Sequence, residues 1–247
     1  MERFRTDGAV LKTSPTGEAD LVVFILTRER GLIRAFARGA RSPRSRLHAG
    51  AVPFGYSDMD LTEKNGVYYL NAAGLKETFY DLRLSLPRLT LAQYFCEVLL
   101  KTATEGSSDP DVLRLFLNAL FLLSADKKPM QLIKSVFELR YAALSGFMPA
   151  LVGCDVCGAF ETPRMHFDAA GGRLLCERCA GESNAQTVPL AVISAMRHIV
   201  FSEFEGVFSF SLEPSLLPVL GRLTSGYLSV CSGMQFRLLR LFYESLE

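Results

Sequence analysis

The chain has 247 residues, 49% hydrophobic and 21% charged, a balance that supports a buried core and speaks against disorder over any long stretch. Net charge is only +1 at pH 7, so the molecule as a whole has no marked preference for an anionic partner. The opening residues MERFRTDGAV lack the apolar centre of a secretory signal, and the most apolar stretch, 112–125, is broken by Arg114 and Asn118, so neither a leader nor a membrane span is expected and a cytoplasmic location follows.

The first third reads as strands. Short apolar or alternating runs at 10–12, 21–26, 32–37, 54–61 and 67–75 are separated by turn signals at 15–17, 29–31, 39–50 and Asn65-Gly66. The last is a type I′ hairpin signal. Five short strands suggest a small barrel, with an SH3-like barrel as the competing architecture that strand counting cannot separate.

From Pro87 the period becomes helical, with Leu91, Phe95, Val98, Leu99 and Thr102 on one face and Gly106 as its end. Asp109-Pro110 caps a second helix, apolar almost all round, that runs to about 124. Pro129 opens a third that carries Leu132, Ile133, Val136, Phe137, Arg140 and Leu144 on one face and stops at Gly146. Further helices are expected from 187 to about 204, from about 214 to 231 with Pro218 interrupting its start, and over 236–245.

Four of the six cysteines are arranged as Cys154-x2-Cys157 and Cys176-x2-Cys179, with 18 residues between the pairs. In a reducing compartment this is the spacing of a four-cysteine zinc site, because two thiolates across a tight knuckle grip one edge of a tetrahedron. Gly153 and Gly158 let the backbone bend towards the sulfurs, and 165–168 and 173–175 flank the turn Ala169-Ala170-Gly171-Gly172 as a hairpin that delivers the second knuckle. Disulfides and a lone redox pair fit the pattern less well, and an iron–sulfur cluster remains an alternative for four thiolates. Four cysteines close the coordination shell, which favours a structural over a catalytic metal. Cys96 and Cys231 read as small core residues.

The charge is unevenly placed. Residues 1–50 hold ten Lys/Arg against five Asp/Glu, and 28–46 hold seven against one. Arg34, Arg38, Arg41, Arg44 and Arg46 leave the third strand through Gly39, an arrangement suited to sequence-independent phosphate binding; a solvated loop is the bland alternative. The strands also carry Phe24, Phe36, Phe54, Tyr56, Tyr68 and Tyr69; alternation assigns most of these to the core and leaves one or two to stack on bases. Asp58 and Asp60, alternating on a strand, are expected to face solvent rather than hold Mg2+. The three histidines, His48, His166 and His198, have no nucleophile partner in a known arrangement, and neither a P-loop nor a dinucleotide motif is present, so nothing favours catalysis.

Read together, several segments resemble the bacterial recombination mediator family RecO. They are Gly17-Glu18-Ala19-Asp20, Thr27-Arg28-Glu29-Arg30-Gly31, Gly39-Ala40-Arg41 through Ser45-Arg46-Leu47, FELRYAALSGFMPALVGCDVCG and AGGRLLCERC. The resemblance covers nearly the whole chain. It implies an α+β multidomain protein: an N-terminal OB-fold β-barrel over 1–80, then an α-helical domain over 81–247 with a four-cysteine zinc ribbon inserted at about 150–184. It also implies binding of single- and double-stranded DNA and annealing of complementary strands. Expected partners are RecR, in some lineages RecF, RecA, and the acidic, hydrophobic-ended C-terminal tail of single-strand-binding protein. Such a tail needs an apolar pocket rimmed by cations, for which Lys127, Lys128, Lys134 and Arg140 are the bases on offer around the third helix. Two other classes stay open: a zinc-ribbon protein–protein adaptor without annealing activity, and a metal-dependent nuclease.

Overall fold

The computed structural model describes residues 1–106, 109–181 and 183–246; Glu182, inside the expected ribbon, lies outside them. The chain forms two compact units, Met1–Lys127 with Phe236–Glu247, and Lys128–Gln235. Among the described residues no helix is long and apolar enough to cross a membrane.

In the first unit, β1 (Glu2–Thr16), β2 (Asp20–Thr27), β3 (Gly31–Ala37), β4 (Tyr56–Lys64) and β5 (Val67–Glu77) close into a barrel in the order β1-β2-β3-β5-β4. β4 returns to pair with β1, and β3 with β5 is the parallel pair. This closed five-stranded arrangement is an OB-fold, which disposes of the SH3-like alternative. The interior is narrow. It takes Val10, Val23, Ile25, Ile33, Met59, Leu61 and Leu70 together with the small Ala35 and Ala37. On β3 the inward set is therefore Ile33, Ala35 and Ala37, and the bulkier Arg34 and Phe36 point outward.

β1 starts eight residues before the apolar run that announces it, since Phe4 pairs with Leu61 and Arg3 with Thr62 across the barrel seam. β4 begins at Tyr56 and not at Phe54. Phe54 sits in the left-handed region (φ 67°) and donates its N–H to Val10 O at 2.8 Å, where β1 carries a bulge. The hairpin residues Asn65 (φ 52°) and Gly66 (φ 73°) take the positive φ that a type I′ turn needs.

Asp58 is exposed as expected, but Asp60 is buried. The Arg3 guanidinium donates to the Asp60 carboxylate from Nε at 2.8 Å and Nη2 at 2.5 Å, and Asn71 adds a third donor. That hydrogen bond from Arg3 holds the Asp60 carboxyl below its ordinary value. A depressed folded-state pKa gives stability that is present above the unfolded value of about 4 and is lost as pH falls through the folded one. Acid unfolding of the wild type and of Asp60→Asn should therefore differ by a constant amount above about pH 4, with the variant the less stable, and draw together as pH falls below that towards the depressed folded-state value; parallel curves throughout would refute the assignment.

Two helices complete the unit's sequence-adjacent part. α1 (Leu86–Thr102) ends at Ala103, short of the expected Gly106, and buries Leu91, Phe95, Val98 and Leu99. α2 (Pro110–Ser124) is capped by Asp109, whose carboxylate accepts from Asp111 N at 2.8 Å.

The second unit opens with α3 (Met130–Leu144), followed by β6 (Ala150–Cys154), β7 (Met165–Asp168), β8 (Arg173–Cys176), the single turn α4 (Glu177–Ala180), β9 (Gln186–Val188), α5 (Leu190–Phe201) and α6 (Leu217–Ser232). The strands form one sheet, β6-β8-β7-β9. Pro218 lies in the first turn of α6, where its missing N–H costs nothing. Lys134 departs from expectation. It is fully buried, paired with Glu138 at 2.8 Å one turn along α3, and it donates to Gly221 O of α6 at 2.9 Å. Glu138, also fully buried, accepts from Thr224 Oγ1 at 2.6 Å and Ser225 Oγ at 3.0 Å. Lys134 therefore ties α3 to α6 and is no rim cation. Arg140 is likewise engaged, donating to Val200 O at 2.5 Å. Lys128 donates to Phe210 O, and Lys127 lies over the Phe121 ring.

The last helix, α7 (Arg237–Glu244), belongs to the first unit. Glu97 of α1 accepts the N–H groups of Arg237 (3.1 Å) and Leu238 (2.8 Å), a carboxylate at the positive end of the helix.

Candidate nucleic-acid interface and metal centre

The basic residues of the barrel sort into two classes. Arg3 pairs with Asp60, Arg28 with Asp7, and Arg30 with both Glu2 (2.6 Å) and Glu63 (2.7 Å), so these cations are neutralised within the fold. Arg34, Arg38, Arg41, Arg44 and Arg46 are all exposed, and among the described residues none of the five makes an ion pair. Apart from Arg5 and Lys12 of β1, the bases of the first 50 residues that make no ion pair among the described residues thus lie on β3 and the connection that follows it.

That connection, 38–55, is not a free loop. Ala40, Leu47 and Ala51 are buried in the barrel core. Successive turns are closed by Ser42 N to Gly39 O (3.1 Å), Ser45 N to Ser42 O (2.9 Å), His48 N to Ser45 O (3.1 Å) and Ala51 N to Leu47 O (2.9 Å). The exposed arginines project between these anchors.

The aromatics divide differently from simple alternation. Only Phe54 and Tyr68 of the six are buried; Phe24, Phe36, Tyr56 and Tyr69 are half-buried on the outside. Phe36 and Tyr69 are direct neighbours across the β3–β5 pair, with ring centroids 6.0 Å apart. The Arg38 guanidinium lies 5.2 Å from the Tyr69 ring, Arg34 5.8 Å from Phe36, and Lys12 5.9 Å from Phe24. A recess of about 470 Å³ opens beside them, bordered by Phe36, Arg38, Lys64, Tyr69 and Asn71. Flat rings with cations at their edges offer stacking to bases and charge to phosphates at once. The pairing of Phe36 with Tyr69 had no local signal, because β3 and β5 are not consecutive in sequence.

In the second unit the four cysteines converge. One sulfur from each of Cys154, Cys157, Cys176 and Cys179 lies within 4.8 Å of the others. Cys157 and Cys176 are 3.7 Å apart, close to the edge of about 3.8 Å that a tetrahedron with 2.3 Å metal–sulfur bonds requires. The first knuckle turns at Gly158 (φ 73°), whose N–H donates to Cys154 O at 2.8 Å. Gly153 is needed for space, since a Cβ there would meet Ala159 O at 2.9 Å. The second knuckle follows β8, and the expected hairpin of β7 and β8 is present in register Met165 to Cys176.

Burial acts to raise the Cys154 thiol, but N–H groups of Cys176, Cys157 and Val156 outweigh it and bring the group down to about 6. The N–H of Cys179 likewise holds Cys176 below the usual thiol range. Cys179, hydrogen-bonded through its thiol to Cys176 and Cys157, is pushed up to about 12. The centre therefore already favours thiolates at two positions, and its four sulfurs are placed to hold a metal ion. Cys96 is buried and its thiol is pushed up by that burial; Cys231 is half-buried. Of the histidines, His48 Nδ1 contacts Ala40 O, His198 Nε2 contacts Gly206 O, and His166 Nδ1 contacts Thr187 Oγ1.

Residues 1–79 match the family model described as recombination protein O N terminal, and residues 83–240 match recombination protein O C terminal. The chain belongs to the recombination protein O family. Relatives named DNA repair protein RecO include one from Acetivibrio thermocellus, 34% identical over 92% of this chain and 91% of the relative. Another, from Alkaliphilus metalliredigens, is 30% identical over 98% of this chain and 97% of the relative. A third, from Desulforudis audaxviator, is 36% identical over 72% of this chain and 71% of the relative. The family's two parts meet between residues 79 and 83, just after the barrel.

Proposed function

We propose that this chain is a non-enzymatic recombination mediator in DNA repair. Residues 1–80 bind single- and double-stranded DNA, and 81–247 form a helical domain whose ribbon, at about 150–184, is held by a structural zinc ion on Cys154, Cys157, Cys176 and Cys179. It anneals complementary strands and, with RecR and in some lineages RecF, helps load RecA onto DNA coated by single-strand-binding protein, whose C-terminal tail it contacts. It acts in the cytoplasm and joins the nucleoid during repair. The observation that carries the reading is the set of exposed arginines that make no ion pair among the described residues, beside outward aromatics on a closed barrel.

Arginines of the 34–46 segment, Arg38, Arg44 and Arg46 among them, neutralise phosphates of two strands together, which lowers their mutual repulsion. Base pairing then supplies the free energy, so no nucleotide hydrolysis is needed. Single-strand affinity should fall steeply with salt, and the triple variant Arg38→Ala/Arg44→Ala/Arg46→Ala should flatten the log–log slope by about 2, at roughly 0.7 for each phosphate that is no longer neutralised. Fluorescence anisotropy across a salt series checks this, and an unchanged slope would sink the arginine assignment. Annealing of two labelled complementary strands, pre-coated with single-strand-binding protein and without nucleotide, should accelerate at low salt and lose that acceleration at high salt. Binding without acceleration would instead favour an adaptor that recruits other proteins.

A further inference from the structure

We propose that Asp20 and Arg41 form a clasp that fixes the arginine connection in shape, so that Arg41 positions the phosphate-binding cations and is not one of them. This rests on the DNA-binding reading above. Three hydrogen bonds run from the β1–β2 turn to the root of the connection. Asp20 Oδ1 accepts Gly39 N at 2.7 Å, Ala19 O accepts Arg41 N at 3.0 Å, and Glu18 O accepts Arg41 Nη1 at 2.9 Å. Among the described residues Arg41 is the one of the five arginines whose guanidinium donates to a backbone carbonyl. Arg34 and Arg38 rest on aromatic rings, and Arg44 and Arg46 extend from the connection.

The clasp lies at a turn that passes through the left-handed region. Gly39 adopts φ 63°, and a Cβ at this position would meet nothing within 4 Å, so the glycine serves backbone conformation and not space. The next residue, Ala40, enters the barrel core. A carboxylate accepting the Gly39 N–H is a charge-assisted bond that fixes this turn, and the guanidinium of Arg41 closes it on the far side. Glu18 and Asp20 place two acids in the same short turn, which makes the spot unfavourable for a phosphate. Holding Arg38, Arg44 and Arg46 in their bound arrangement before DNA arrives removes an ordering cost from binding.

A phosphate ligand and a positioning residue differ in their salt signature. Binding of a fluorescent oligothymidylate by the full chain would be measured across a salt series. Arg44→Ala should lower the slope by about 0.7. Arg41→Ala and Asp20→Ala should each weaken binding by about three- to tenfold with the slope unchanged, and the double variant should be no worse than either single one. Arg41→Lys keeps the charge but loses the planar guanidinium, and should resemble Arg41→Ala; Asp20→Asn keeps an acceptor and should recover most of the affinity. If Asp20→Ala is too unstable to measure, Asp20→Asn and the two Arg41 variants decide alone. A slope loss of about 0.7 in Arg41→Ala, rescued by lysine, would overturn the clasp and make Arg41 a phosphate ligand. Wild-type binding that does not respond to salt would instead overturn the DNA-binding reading on which the clasp depends.

Discussion

Stripping metal from the four-cysteine centre with a chelator is expected to unfold the second unit and leave the barrel folded. β6 and β8 each end at a cysteine of the cluster, and among the described residues they pair only at Ala150 with Arg173 and Cys154 with Leu174. The β6–β8 edge thus has little pairing of its own to hold it in the absence of a cross-link. Structural zinc contributes about 10–16 kcal/mol of apparent binding free energy in small domains, as much as the whole net stability of an ordinary fold, about 5–15 kcal/mol. Calorimetry with parallel metal analysis should show the transition of the second unit disappear in chelator and return with added zinc. Cys154→Ser should behave in the same way, with weakened metal retention. An unchanged melt and full metal content in that variant would dismiss the structural centre.

Glu138→Ala is the second large effect. The carboxylate neutralises Lys134 where both side chains are fully excluded from water, and it accepts from Thr224 and Ser225 of the facing helix. Its removal takes away the carboxylate that pairs with a buried ammonium at 2.8 Å and leaves the Gly221 carbonyl, at 2.9 Å, as an acceptor. Breaking one side of a buried pair costs about 3–5 kcal/mol, whereas replacing both partners by apolar residues of similar size is often neutral. Chemical denaturation should therefore find Glu138→Ala strongly destabilised and Lys134→Met/Glu138→Leu close to wild type. Equal losses in the two would mean that packing, not charge, governs the site.

Lys134 also marks where reading the sequence stops. Its spacing placed it on α3, but a lysine one turn before a glutamate reads as a solvated pair; the Gly221 carbonyl that also accepts from it lies on α6, 87 residues away. The barrel was legible because Asn65-Gly66 and the apolar runs carry local signals. The first half of β1 was not, since Arg3 and Arg5 break the apolar pattern and only the seam pairing with β4 accounts for them. The cysteine centre was readable from spacing alone. The arginine segment was readable as charge but not as shape, because its anchors are alanines and a leucine that look ordinary in a loop. The outward Phe36 and Tyr69 were hidden for a further reason: a barrel interior this narrow takes alanine, which inverts the usual rule that the larger side chain points in.

The anchoring of residues 38–55 has a consequence for proteolysis. A segment with arginines at 38, 41, 44 and 46 is, by composition, where trypsin would cut first. Cleavage requires several residues drawn out into an extended strand, and here Ala40, Leu47 and Ala51 would have to leave the core for that to happen. Scission must therefore wait for opening of the barrel itself, so that a surface rich in trypsin sites is shielded by the stability of the whole domain.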